Sequence, residues 1–401
     1  MKMPLPANVT DLISKLEENG YECYVVGGAV RSFLLGLPIH DYDLTTNAEP
    51  KEMQQVFHAY KTIETGLKHG TLTVVSGGQP IEITTYRKDG AYSDHRHPEQ
   101  VTFSKAVEED CARRDFTVNA LCYNPSCGIL DFFGGIEDLD HKVLRCIGIA
   151  ENRFDEDALR ILRAIRFAAV LGFTIEEKTS KALLNSCGLL KYISTERIKN
   201  ELDGFFAARK CAPYMDTYKD IFFTVIPDSA KITDEQWQSV LQAIDRTDQP
   251  LLRMAVMLTF ITKDAHTVLK EMKYSNREIN DIENLLACRD IQLETHEDVR
   301  RLVRDLSVPF ADYISYRKAV DDSFDPAYAQ KEYELIEAKH ECCKRSDMAV
   351  DGNDLKDLGF EGHDIAAVLE YLLDGIIEDR IPNEKQALLK EAEAYQKTVA
   401  A

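Results

Sequence analysis

The sequence predicts an α+β multidomain chain, with a small sheet-bearing head at its N-terminal end and helical domains after it. Short apolar or β-branched runs punctuated by glycine turns are confined to the part before about residue 140, and 3.6-residue apolar periodicity takes over from about residue 150. At 401 residues and 44% hydrophobic content, the chain is long enough for about two to four domains.

Taken in order, residues 9–19 have the spacing of an amphipathic helix that Gly20 stops. The run 21–26 reads as a buried strand, Gly27-Gly28 break it, and 29–36 has the spacing of a short helix ending on Gly36. After Pro38 the chain turns into a second strand over 41–45. Side chains two apart in a strand share a face, so Asp41 and Asp43 project together. Carboxylates held this way repel unless a cation lies between them, and a hard oxygen-seeking ion such as Mg²⁺ suits the pair. The diglycine removes two Cβ atoms, so the backbone N–H groups of Gly27 and Gly28 can approach an anion at the start of the 29–36 helix. Phosphate at one end and metal at the other is the layout of a nucleotidyl-transfer site.

Residues 47–60 read as a helix with Pro50 at its tolerated first position. The β-rich runs 71–76 and 81–86, split by GGQP, read as a hairpin. Ile81, Ile83 and Thr85 face one way, which makes Glu82 a candidate third carboxylate, although an exposed strand glutamate has the same pattern. Residues 88–101 are polar, carry Gly and Pro, and read as a loop. The run RRDFTVNA, 113–120, is expected to open a helix with Asp115 near its start. Paired guanidiniums such as Arg113 and its neighbour make bidentate contacts to phosphate, and Asp115 and Asn119 can bind ribose hydroxyls. Residues 153–172 read as one helix capped by Asp155 and stopped by Gly172. On it Asp157, Arg160 and, one turn on, Arg163 or Ala164 share a face. Asp157 with Arg160 reads either as an intrahelical ion pair or as a base reader, because a carboxylate beside a guanidinium pairs with the edge of C or A and opposes that of U or G. From about residue 211 onward the pattern is helical, over 235–245, 250–262, 276–288, 296–306, 309–320 and 327–343, with no catalytic motif.

A net charge of −20 argues against a surface that grips nucleic acid all over, but residues 145–210 carry 12 Lys/Arg against 9 Asp/Glu, so RNA is expected there. No run has the length of a membrane span and no apolar leader is seen, so the expected location is cytoplasmic. The ten cysteines form no CxxC pair, which reads as reduced, mostly buried thiols.

Taken together, YVVGGAVRSFLLGLPIHDYDLTT (24–46), RRDFTVNA and EDALRILRAIRF (156–167) resemble the polymerase-β-like nucleotidyltransferases, within them the class II subgroup of bacterial CCA-adding enzymes and poly(A) polymerases. One departure is Ser32, where the family usually carries Asp after Val-Arg. The resemblance implies a small mixed-sheet head (1–140), then an all-helical neck for base recognition (141–210), a body (211–325) and a tRNA-binding tail (326–401). It implies Mg²⁺-dependent, template-independent addition of C, C and A to the 3′ end of tRNA from CTP and ATP. An A-adding enzyme of a split system, or a poly(A) polymerase, is the alternative. Its implied partners are tRNA, CTP and ATP, with no DNA and no membrane. By the same resemblance Asp41 and Asp43 hold metal, Glu82 is the third catalytic carboxylate, and Gly27, Gly28, Arg31, Arg113, Asp115 and Asn119 hold the nucleotide. Asp157, Arg160 and Arg163 read the base, Asp94 and Arg96 belong to a flexible loop, and ISTERIKNEL (193–202) braces the base-reading helix.

Overall fold

The computed structural model describes residues 2–90 and 101–399; Asp94 and Arg96 of the expected loop lie outside them. The chain divides into two compact units, one formed by residues 1–232 with 271–273 and the other by the remainder.

The first unit is built on a seven-stranded sheet. Its early elements are α1 (Ala7–Glu18), β1 (Cys23–Val26), α2 (Gly28–Leu34), β2 (Asp43–Thr46), α3 (Pro50–Val56), β3 (Lys61–Ile63), β4 (Thr71–Ser76) and β5 (Gln79–Thr85). A ribbon follows, β6 (Arg87–Asp89) paired with β7 (Val101–Phe103), then α4 (Val107–Ala112), β8 (Cys122–Asn124) and β9 (Gly128–Leu130). The strand order is β3-β4-β5-β2-β1-β8-β9. Only β2 and β5 run parallel, which makes the sheet mixed, as expected. Alternation sets each face. In β5, Ile81, Ile83 and Thr85 are buried and Glu82 is exposed, and the parallel register seats Glu82 directly beside Asp43. The β4–β5 hairpin turns on Gly77 and Gly78, both at positive φ (59° and 79°), as a two-residue turn with the right-handed strand twist needs.

Several boundaries differ from the sequence reading. The strand after Pro38 begins at Asp43, so Asp41 sits in the irregular segment before it. The helix from Pro50, closed by a Glu49–Glu52 capping box, stops at Val56, where the chain turns inward to bury Phe57 completely. The edge strand β3 went unseen because its three residues show no apolar alternation. RRDFTVNA does not open a helix. Arg113 and Arg114 close α4, whose first turn holds Glu108, Glu109 and Asp110, so acid at the N-terminal end and base at the C-terminal end both suit the macrodipole.

Beyond the sheet come α5 (Gly135–Asp140), the parallel strand pair β10 (Val143–Leu144) and β11 (Thr174–Ile175), α6 (Ala150–Glu156), α7 (Leu159–Leu171), α8 (Glu177–Asn185) and α9 (Thr195–Phe206). The expected single helix over 153–172 is therefore two, and Asp155 lies inside the first instead of capping it. The break is at Asp157, which is extended (φ −140°, ψ 101°) and accepts the Leu159 N–H at 3.1 Å. Such a local side-chain bond competes with helix continuation. Gly172, left-handed at φ 69°, ends α7 as expected. Gly135 is fixed by a close approach: a Cβ there would lie 2.4 Å from the Thr117 carbonyl oxygen.

The second unit is helical. Asp234–Ile244, Pro250–Ile261, Asn276–Ala287, His296–Asp305, Phe310–Val320 and Ala327–Lys339 fall on the expected spans, and Ala265–Glu271 is additional. Arg253 is fully buried there, its Nε donating to the carbonyls of Ile244 (3.1 Å) and Thr247 (2.8 Å), which satisfies a charge in the core. Its last helices, Gly352–Asp357, His363–Ile377 and Lys385–Val399, close on an apolar core of Val350, Leu355, Val368, Leu372 and Leu388. All ten cysteines are free thiols, most of them buried. Among the described residues no helix is long and apolar enough to cross a membrane.

Candidate active site

A cleft of about 380 Å³ in the first unit gathers residues from all three motifs: Gly27, Gly28 and Arg31; Asp43; Arg113, Arg114, Asp115 and Asn119; Asp157, Arg160, Arg163 and Phe167. A larger groove of about 1040 Å³ lies between residues 169–181 and 209–218 and contains none of these groups. The smaller cleft is the candidate site, because charge of both signs converges there.

Gly27 stands at φ 67°, ψ −123°, a conformation closed to L side chains, and a Cβ on it would sit 3.3 Å from an Arg114 guanidinium nitrogen. The diglycine thus lets strand, helix and arginine meet. At seven residues, α2 offers a weak dipole, and the anion-attracting charge comes chiefly from the guanidiniums.

Those guanidiniums are held by named partners. Asp110, completely buried, accepts from Arg113 Nε (2.9 Å) and Nη2 (2.7 Å) and from Arg114 Nη2 (3.2 Å). Burial would raise its pKa, but the two arginines outweigh it and hold the carboxyl below the ordinary range. A second chain of bonds crosses the cleft. Arg31 donates to the Asn119 side-chain carbonyl, Asn119 Nδ2 to Asp115 Oδ1 (3.0 Å), and Arg163 Nε and Nη2 to Asp115 Oδ2 (3.0 and 2.8 Å). Asp115 is likewise held low against its burial, first by Arg163. Arg31 has its pKa lowered by burial and by Arg166 and Arg163, against the pull of Asp115, and its buried Nε has no hydrogen-bond partner among the described residues. Arg114 Nε is orphaned in the same way. Two unpaired donors in a cationic cleft suit a polyanion.

The Asp157–Arg163 side of the cleft is braced by neighbouring side chains. Asp157 takes Arg197 of α9 (2.9 and 3.3 Å), and Arg160 donates to Glu156 (2.6 Å) and to the carbonyls of Arg153 (3.1 Å) and Arg113 (3.0 Å). Glu201, also on α9, holds Arg166 at 2.5 Å and Arg163 at 3.5 Å. The segment 193–202 thus packs on α7 and steadies it through two ion pairs. Sequence reasoning passed over the individual partners Asp110, Glu156, Arg197 and Glu201, and gave Phe167 no role of its own. The signal for Asp110 was available, since it stands three and four residues before two arginines.

The carboxylates lie beside the cleft. Asp41 and Asp43 together line an adjoining hollow of about 240 Å³, which shares Gly28, Arg31 and Asp43 with it. Asp43 is exposed at the strand end, yet its carboxyl is held above the ordinary range, first by displaced water, then by the neighbouring Glu82 and Asp41 charges, with Arg114 opposing. Neighbouring carboxylates that repel one another and offer hard oxygen donors fit a divalent cation. Among the described residues no three His, Cys, Asp or Glu side chains gather closely enough to enclose an ion alone. Such an ion would rest on Asp41 and Asp43, with water or phosphate oxygens completing its shell, as Mg²⁺ prefers.

Comparison with known proteins agrees with this geometry. Residues 23–145 match the family model "Poly A polymerase head domain", 172–220 "Probable RNA and SrmB-binding site of polymerase A", and 244–392 tRNA nucleotidyltransferase domain 2. A CCA-adding enzyme of Streptococcus thermophilus is 34% identical over 390 residues, covering 94% of each chain. One from Lactobacillus delbrueckii subsp. bulgaricus is 50% identical over 190 residues, 47% of this chain and 48% of that one. The crystal structure of the Bacillus stearothermophilus CCA-adding enzyme in complex with CTP superposes with a TM-score of 0.80 at 28% identity, over 98% of both chains.

Proposed function

The chain belongs to the family of CCA-adding enzymes, and from that premise we propose how its cleft adds C, C and A to the 3′ end of tRNA from CTP and ATP, with release of pyrophosphate and without a nucleic-acid template. The observation that supports it best is that one cleft unites Asp43, the guanidiniums of Arg31, Arg113 and Arg114, and the Asp157–Arg160 pair. In this reading the arginines bind and orient the triphosphate, with the orphaned Nε atoms of Arg31 and Arg114 available to its oxygens. Asp115 and Asn119 meet the ribose, and Asp157, Arg160 and Arg163 meet the base edge. Asp157 is aimed by Arg197, and Arg160 by Glu156. Asp41 and Asp43 would hold Mg²⁺, with Glu82 completing the acidic face. When bound, the metal lowers the pKa of the attacking 3′-hydroxyl and offsets charge on the α-phosphate.

We assign residues 1–140 to a catalytic head, 141–210 to a base-reading neck, 211–325 to a body and 326–401 to a tRNA-binding tail. The working location is the cytoplasm. Incubating the protein with CTP, ATP and Mg²⁺, and with tRNA ending either before the CCA or in CC, tests the reading. Both substrates should finish at CCA. Extension of the CC-ended tRNA alone would instead indicate an A-adding partner of a split system, and a long A tail a poly(A) polymerase.

A further inference from the structure

Three guanidiniums surround one ring. The central carbons of Arg31, Arg163 and Arg166 lie 5.0, 5.2 and 4.2 Å from the centroid of Phe167, which is 9% exposed. Phe116 meets the same ring at 6.0 Å and 78°, an edge-to-face geometry that fixes its tilt. The carboxylates of Asp115 and Glu201 pair with Arg163 and Arg166, whereas Arg31 bonds a neutral amide, Asn119. Three cations against two anions repel one another, and the electron-rich face of an aromatic ring attracts all three. Arg31 sits on α2 behind the diglycine, while Arg163 and Arg166 sit on the base-reading α7, so the ring joins the phosphate-binding part of the cleft to the base-reading part.

We propose that Phe167 is a positioning residue for the incoming nucleoside triphosphate: its π face sets the distance between Arg31 and the arginines of α7, so that triphosphate and base are met in one geometry. The proposal rests on reading this cleft as the nucleotide site. It requires the electronic character of the ring as well as its bulk. Phe167 touches no reacting atom, so it acts on binding and leaves the chemical step alone.

Progressive fluorination of a phenylalanine drains the π face while nearly preserving ring shape. The full-length chain carrying 4-fluoro-, 3,5-difluoro- or 3,4,5-trifluorophenylalanine at position 167 is therefore compared with the parent protein and with Phe167→Leu. The readouts are Kd for CTP and for ATP without tRNA, kcat and Tm. Each added fluorine should weaken binding of both nucleotides, reaching about tenfold at the trifluoro ring, the scale of a desolvated cation–π contact. Phe167→Leu should match the trifluoro point, and kcat at saturation should stay within about twofold. Flat Kd values across the series, or a loss of affinity that only follows a falling Tm, would overturn the proposal. A parent protein that binds neither CTP nor ATP would overturn the reading of the cleft instead.

Discussion

Replacing Asp110 with asparagine strips one negative charge from beneath two guanidiniums and keeps the side chain's shape. Asp110 is fully buried, and the arginines above it retain only 17% and 20% side-chain exposure, so little water can move in to replace the lost charge. Stranding a buried charge by removing its partner costs about 3–5 kcal/mol, and because both arginines keep some solvent we take the lower figure, about 3 kcal/mol. In a unit of this size each kcal/mol moves Tm by roughly 2–4 °C, so the melting transition of the first unit should fall by roughly 6–12 °C. The loss has a pH signature. The Asp110 carboxyl is held below its ordinary value, so its contribution is complete above the unfolded carboxylate pKa of about 3.9 and disappears as pH falls through the folded value. Calorimetry of parent and Asp110→Asn should therefore show a full gap at neutral pH that narrows below about pH 4. KM for CTP and ATP should rise together, since Arg113 and Arg114 lose their anchor. A Tm within about 2 °C of the parent at pH 7, with unchanged KM, would refute the idea that Asp110 aims the two arginines.

Other perturbations separate the remaining parts. Asp41→Asn or Asp43→Asn should abolish incorporation in Mg²⁺ with tRNA affinity nearly unchanged, measured by primer extension and filter binding, because each replaces an anionic ligand of the proposed metal with a neutral amide and, on this proposal, touches no RNA. Gly135→Ala drives a methyl to 2.4 Å from the Thr117 carbonyl, so it should cost about 1–3 kcal/mol by denaturant titration, as overpacking does. Replacing residues 91–100 with a short Gly-Ser linker, leaving the β6–β7 ribbon intact, should permit both C additions and stop the product at CC. Sequencing of 3′ ends checks it, and equal loss of all three steps would count against a loop role in the switch to A.

Much of the site was legible because its chemistry depends on short spacings. Asp41 and Asp43, the diglycine, and Asp157 with Arg160 stand out at short spacings, and alternation marks β4 and β5 as a hairpin, whereas the mixed character of the sheet came from the family resemblance. Apart from Asp110 and Glu156, whose partners lie three or four residues away, what escaped depends on contacts between distant segments. No local pattern says that Asp157 is held by Arg197, forty residues on, or that Arg31 and Arg163 meet over Phe167. The helix break at Asp157 was missed because apolar periodicity runs through it, whereas the Asp157 side chain there accepts the Leu159 N–H and pairs with Arg197. The expected helix at RRDFTVNA was placed too far along the chain, since the acidic turn that starts the real helix lies upstream and the arginines stand at its C-terminal end.

The central claim is that protein side chains choose the base. It is tested most directly by sequencing tRNA 3′ ends after reaction with all four nucleoside triphosphates present in equal amount, comparing the parent protein with Arg160→Ala. The parent should yield CCA ends alone, and the variant should be slower and also insert U and G, because the guanidinium that opposes their edges is gone. Ends from Arg160→Ala that remain strictly CCA, in a protein that is merely less stable, would contradict the account.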